Sequence, residues 1–416
     1  MLAIGAPPPI SIAHVDRALM SVFIGLLLVG LVMVYSANLP LPSNNTESVF
    51  WRGMRGHPIH LLIGLVTMFL MTRVPTTILH SLSTPLFFLG IALLLVVAGM
   101  KIAFGPAIIK DGAVRAIPLG FFTLQPAELM KLFSLLFAAA YVIRRQDRMR
   151  TFGRGLMPIG LLMSLVMLLL LYQPDLGSTM VIMLITAAIL FLGGMSLRVF
   201  IPLLLALGAV FVLMVVFTPW RLDRLVSYLT PCDPGLVQTT GFQLCGALIA
   251  FGNGGVLGSG LGTGVAKMGH LPLPHTDFIF AMMGEEIGFV GVTLVILAFA
   301  FIVRRSIEIG RTAMSQERLF AGLVAQGIGV WIGLQTLIHA GVNTGLLPTK
   351  GLTLPFISHG GSSMLAVCMA MGVLIRIDIE NRAVVRRGAI GGRLVSSSPR
   401  AEPEAIFFRL WQWLKN

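Results

Sequence analysis

The chain has 416 residues, 56% of them apolar and 11% charged, with a formal net charge of +13. A soluble domain carries about 25% charged residues, so the composition excludes a water-soluble fold. It also excludes disorder, which requires low hydrophobicity. Three cysteines with no CxxC or HExxH motif exclude a disulfide scaffold and the common zinc patterns.

An N-terminal segment, 1–17, precedes an apolar run at 18–37 that is too long for the core of a cleaved signal peptide. Further runs follow at 59–72, 85–100, 126–143, 155–172, 177–195, 200–217, 278–303, 319–343 and 363–376. At about 20 residues per span they predict an all-α polytopic membrane protein with ten transmembrane helices over 18–376. The shorter runs would be completed by flanking polar residues or tilt. A large connection, 218–277, separates spans seven and eight.

Alternating compartments place twenty Lys and Arg residues on the side of the N-terminus and nine on the other, with Lys131 inside a span. The positive-inside rule then makes both termini cytoplasmic and puts the 101–125, 218–277 and 344–362 connections outside. Topology thus accounts for the basic charge, and no soluble basic module calls for nucleic acid. Cys232 and Cys245 fall thirteen residues apart in the outer connection, where they are either bridged or two free thiols. Cys368, in the last span, is expected to be free. The basic tail 377–416 reads as a linker through Ser396–Pro399. It ends in Ile406, Phe407, Phe408, Leu410, Trp411 and Trp413, a stretch suited to an interfacial helix or to a partner-binding end.

Ionisable residues in or beside apolar spans are costly and therefore candidates for function. Gln125-Pro126-Ala127-Glu128-Leu129-Met130-Lys131 opens the fourth span, and Glu128 and Lys131 share a helix face, as a structural ion pair or as part of a site. Gln173-Pro174-Asp175 interrupts the chain between spans five and six, where Asp175 reads most simply as a helix cap. His275-Thr276-Asp277 leads into span eight, followed by Glu285 and Glu286, of which at most one can face a cavity squarely. Pro348-Thr349-Lys350-Gly351 and Pro355-Phe356-Ile357-Ser358-His359 lie between the last two spans. All four clusters fall at the same, outer end, which argues for one polar cavity. Asp277 has no Lys or Arg beside it in sequence and is the least easily assigned to structure alone.

With Gln173-Pro174-Asp175-Leu176-Gly177, His275-Thr276-Asp277-Phe278-Ile279-Phe280-Ala281 and Gly284-Glu285-Glu286-Ile287-Gly288, the block at 125–131 resembles the signature of the shape, elongation, division and sporulation (SEDS) family. Leu346 to Pro355 is similar to its division branch, and the resemblance runs from about Asp16 to Asp378. It implies a peptidoglycan glycosyltransferase that polymerises lipid II at the outer face of the cytoplasmic membrane, at the division septum, releasing undecaprenyl pyrophosphate. It implies Asp277 as the catalytic residue, with Glu128 and Lys131 in support. It also implies a divalent cation such as Mg²⁺, with ligands unknown, and a class B penicillin-binding transpeptidase and other division proteins as partners. Four positions depart from the family's usual residues: His359 replaces a Tyr, Leu273-Pro274 a Glu-Ala pair, and Ala116 a Trp.

The chemistry asks for a base to accept the proton of the acceptor hydroxyl, a role a carboxylate such as Asp277 can fill. Inversion needs no second carboxylate nucleophile. Charge growing on the leaving pyrophosphate calls for cations, and Lys350, Arg115 and Lys131 are candidates. His275, Glu286 and Ser358 are further candidates to support or contact the substrate. A lipid II flippase is the alternative, although such transporters gather polar groups near the midplane and often show internal repeats, which are not evident here.

Overall fold

A computed structural model of the chain describes residues 15–38, 46–104, 114–119, 123–146, 152–218, 222, 225, 227–236, 241–268, 271–348 and 351–391. Asp16 caps the first helix, α1 (Arg17–Ala37), by accepting the N–H groups of Ala18 and Leu19. Then come α2 (Thr46–Arg73), α3 (Thr76–Phe104) and a two-residue antiparallel pair, β1 (Ile117–Pro118) with β2 (Thr123–Leu124). The chain continues through α4 (Pro126–Arg144), α5 (Met157–Tyr172), α6 (Leu176–Leu192) and α7 (Leu197–Val216). The last four are α8 (Phe242–Gly254), α9 (Ile279–Ser315), α10 (Leu319–Asn343) and α11 (Gly361–Gly391).

Every apolar run of the sequence falls in one of these helices to within three residues at either end. Seven described helices, α1, α3, α4, α7, α9, α10 and α11, are long and apolar enough to cross a membrane, while α5 and α6 are apolar but shorter, at 16 and 17 residues. In α2 the run occupies the second half of a 28-residue helix. α4 lies at the centre against α3, α6, α10 and α11, and is almost wholly buried. By contrast α7 packs chiefly on α6 and has no buried residue. Apart from Arg198 at its start, that outward face is apolar, as a lipid-facing helix requires.

Two elements differ from the expectation. The 218–277 connection contains α8, a thirteen-residue helix packed on α9. Its apolar face is too short to read as a span. The last helix also continues past 376 to Gly391, where a linker was expected. The polar residues that made this stretch look like tail are drawn inward and paired: Arg376, Asp378 and Asn381 are buried, and Arg376 and Arg382 bond Glu380 and Asp378 one turn away. The remaining tail, with the stretch expected to be interfacial, lies outside the described residues.

α9 bends at Gly288, where φ is +66°. A Cβ there would stand 2.2 Å from the backbone nitrogen of Gly258, so only glycine allows this approach. The bend frees backbone groups that pair with the chain leaving α8. Ser259 and Gly260 donate to the carbonyls of Glu285 and Glu286, and Phe289 and Val290 to those of Gly255 and Val256.

Candidate functional site

The ends of α1, α3, α5 and α10 meet the starts of α4, α6, α9 and α11 at one end of the bundle, called here the site end. Asp277 stands there, half-buried, in the turn that enters α9. Asn343, the fully buried last residue of α10, fixes this turn from both sides. Its amide donates to the Asp277 carbonyl at 3.0 Å, and its side-chain oxygen accepts the Ala281 N–H at 3.1 Å. From the α10–α11 connection, Ser358 Oγ donates to the Thr276 carbonyl at 2.8 Å, and the His359 N–H to the His275 carbonyl at 2.9 Å. The backbone of the His275–Asp277 block is therefore held on two elements, which leaves the carboxylate to be placed. That carboxylate lies against Gly351, where a Cβ would come within 2.9 Å of Asp277 Oδ2.

The connection itself is non-helical and deep, a state tolerated only against protein or a wet cavity. Phe356 anchors it, edge-on to Phe23 at 5.1 Å and stacked over Phe299 at 6.4 Å. A Cβ on Gly30 of α1 would meet the Ile357 backbone at 2.8 Å, so α1 too is pressed onto it.

Glu128 and Lys131 form a 2.8 Å ion pair with Lys131 fully buried. Lys131 Nζ also donates to Gln335 Oε1 at 3.3 Å, an oxygen that accepts the Trp331 indole N–H at 2.8 Å. Gln335 Nε2 donates to the Thr353 carbonyl at 2.8 Å, and the Thr353 hydroxyl contacts Ser363 Oγ at 2.6 Å. The pair is thus tied through α10 to the segment that carries Gly351 and Ser358. Glu128 Oε2 is buried with no hydrogen-bond partner.

The other expected residues are placed differently. Glu285 accepts the N–H groups of Val265 and Ala266, and Glu286 pairs with Lys267 at 2.9 Å while accepting Ser36 Oγ and the Gly262 N–H. Both carboxylates face the chain between α8 and α9, and neither joins the Asp277 group. Arg115 donates to the carbonyls of Gln173 and Pro174, 3.3 and 3.0 Å away, bracing the turn that Asp175 completes by capping α6 on the Ser178 N–H. Lys350 lies outside the described residues.

Three further imidazoles surround His359, those of His57, His60 and His275, with ring centroids 5.4, 5.4 and 5.6 Å away. Burial, with these neighbouring rings, pushes His359 down to about 3, and burial also lowers His275. Both are neutral at pH 7. Among the described residues no group of three or more His, Cys, Asp or Glu could hold a metal ion. A resident metal caged by these side chains does not fit.

Sequence reasoning missed Asn343, Gln335, His57 and His60. Gln335 offered a signal, a polar residue in the middle of an apolar run. His57 and His60, three apart on α2, offered a weaker one, and the end of a helix run gave no reason to single out Asn343. The bridge between Cys232 and Cys245 is formed, and Cys368 is buried and free.

A family model described as a cell cycle protein, FTSW_RODA_SPOVE, matches residues 17–383. A protein of Burkholderia thailandensis described as a probable peptidoglycan glycosyltransferase FtsW is 43% identical over 379 residues, covering 90% of this chain and 81% of its own. One of the same description from Nitrosomonas europaea is 44% identical over 380 residues, covering 90% and 95%. Among solved structures, a chain from work on a peptidoglycan synthase complex that coordinates polymerization and crosslinking superposes with a TM-score of 0.69 at 26% identity, covering 88% and 98%. The rod shape determining protein RodA of Thermus thermophilus gives 0.63 at 26%, covering 88% and 96%.

Proposed function

The chain belongs to the family of FtsW, RodA and SpoVE cell-cycle proteins, and from that membership we propose that it is a peptidoglycan glycosyltransferase that polymerises lipid II during cell division. The observation that carries the site reading is the held turn: Asp277, its backbone fixed by Asn343 and its neighbour Thr276 by Ser358, with its carboxylate against Gly351. A base fixed in this way meets the acceptor hydroxyl without reorganisation. As the new bond from that oxygen to the anomeric carbon forms, the carboxylate takes the proton. The bond to the diphosphate breaks on the opposite face, and the polyprenyl diphosphate leaves.

Positive charge for the leaving group comes, on this reading, from Lys350, which adjoins Gly351 in the chain, while Arg115 braces the Gln173–Asp175 turn. Lys131 is held by Glu128 and Gln335 and acts through the segment it anchors. The divalent cation implied by the family resemblance would enter with the donor, since magnesium favours phosphate oxygens and water over protein cages. The outward apolar face of α7 and its neighbours leaves the polyprenyl tail in lipid.

We place the site end at the outer face of the cytoplasmic membrane with both termini inside, on the bias of Lys and Arg, and a class B transpeptidase beside it as the cross-linking partner. Purified protein given labelled lipid II should lengthen glycan strands, with that partner present if needed. Movement of lipid II between leaflets without polymer would support a flippase instead. Thiol labels at 308–316 should report the cytoplasm and those at 235–240 the outside. The reverse pattern overturns the orientation.

A further inference from the structure

The imidazole cluster at the site end joins three elements of the chain. His57 and His60 come from α2, His275 from the turn carrying Asp277, and His359 from the connection before α11. His359 is the hub. Its Nδ1 lies 3.3 Å from His57 Nδ1, and its backbone N–H donates to the His275 carbonyl. The His359 ring lies on α2 at Gly56, where a Cβ would be in ordinary contact with it at 3.5 Å. His57 is buried, and its Nε2 has no hydrogen-bond partner.

A contact between two ring nitrogens requires one to donate and the other to accept, so at most one ring of the pair can carry its second proton there. Among the described residues, the titratable groups that lower His359 are the other three imidazoles, which would repel a charge on it. The acid nearest along the chain is Asp277, two residues beyond His275.

We propose that His359 is a positioning residue for Asp277, latching the catalytic turn to α2 most strongly while the imidazoles are neutral, so that external acid, by charging them, weakens the latch and slows polymerisation. This rests on the glycosyltransferase reading above. A released ring returns to an ordinary value of about 6.5, whereas the latched His359 sits near 3. The latch is therefore at full strength above about pH 6.5 and weakens as pH falls toward the latched value. Each ring involved favours the released state by up to about tenfold per pH unit.

Two measurements on the full chain test this between pH 5 and 8. One is polymerisation of labelled lipid II. The other is amide hydrogen exchange over 273–278, corrected for intrinsic chemistry. Wild type should lose turnover below about pH 6.5, with kcat carrying the change and KM nearly constant. His359→Ala should lower turnover about tenfold at pH 7.5, a misplacement effect. His359→Asn, whose amide can still donate to His57 Nδ1, should recover most of that loss. It should also move the acid limb about one pH unit lower, toward that of a carboxylate base. His57→Asn should move it likewise. Protection over 273–278 should fall with pH in wild type and stay flat in the Asn variants.

Superimposable acid limbs, or protection in wild type that does not change with pH, overturn the latch. If wild type makes no polymer at any pH the glycosyltransferase reading falls, and the exchange data still decide the latch. They also decide it should His359→Ala not fold.

Discussion

At the end of the bundle opposite the site, Glu380 receives Arg318 and Arg376 together with the N–H and hydroxyl of Thr76, while Asp16 caps α1 and also binds Arg305. At the site end Asp277 is held by its backbone, Glu285 by N–H groups, and the imidazoles by one another in neutral form. The first arrangement ties α1, α3, α9, α10 and α11 by reciprocal charge, and each acid there has all its capacity used. The second spends hydrogen bonds on main chain and keeps a carboxylate beside a glycine. Charge at one end fixes helix positions. At the other, Glu128 and Glu286 are paired as well, while the turn that carries Asp277 is fixed through its backbone.

The sharpest test of this contrast is Asp277→Asn. Polymerisation should fall by about 10²–10⁴-fold, the usual contribution of a general base, while thermal stability stays near wild type. A large loss of stability would make Asp277 resemble the acids of the opposite end. Next is Lys131→Met, which strands Glu128 in the core and should destabilise by about 3–5 kcal/mol. Adding Glu128→Gln should restore much of it in thermal unfolding in detergent. If the double variant is stable yet inactive, the pair serves the site as well as the fold.

Reducing the Cys232–Cys245 bridge opens a loop of 13 residues and should cost about 3 kcal/mol by chain entropy. Alkylation followed by mass spectrometry should find both thiols blocked until reductant is added. Glu380→Ala should cost about 2 kcal/mol, as expected for lost charge-assisted bonds, and leave turnover per folded molecule unchanged. A fall in turnover would mean the two ends are coupled.

The ten membrane runs, the gathering of polar clusters at one end and the block containing Asp277 were legible in the chain, because hydrophobic length and covalent order are local properties. The cap at Asp175 and the pair Glu128–Lys131 were legible for the same reason, each being made within one turn of helix. α8 and the last turns of α11 were not. Their stability comes from docking on α9 and from pairing of charges that, read in sequence, signal solvent.

What only the tertiary structure decided is which polar groups face one another across the bundle. Lys131 meets Gln335 from 204 positions away, His359 meets His57 from 302, and Glu286 meets Ser36 from 250. Sequence marks such residues as costly to bury, but their partners follow from how closely helices approach. Some of those approaches are set by glycines such as Gly30 and Gly288, where the absence of a Cβ brings distant backbone into contact.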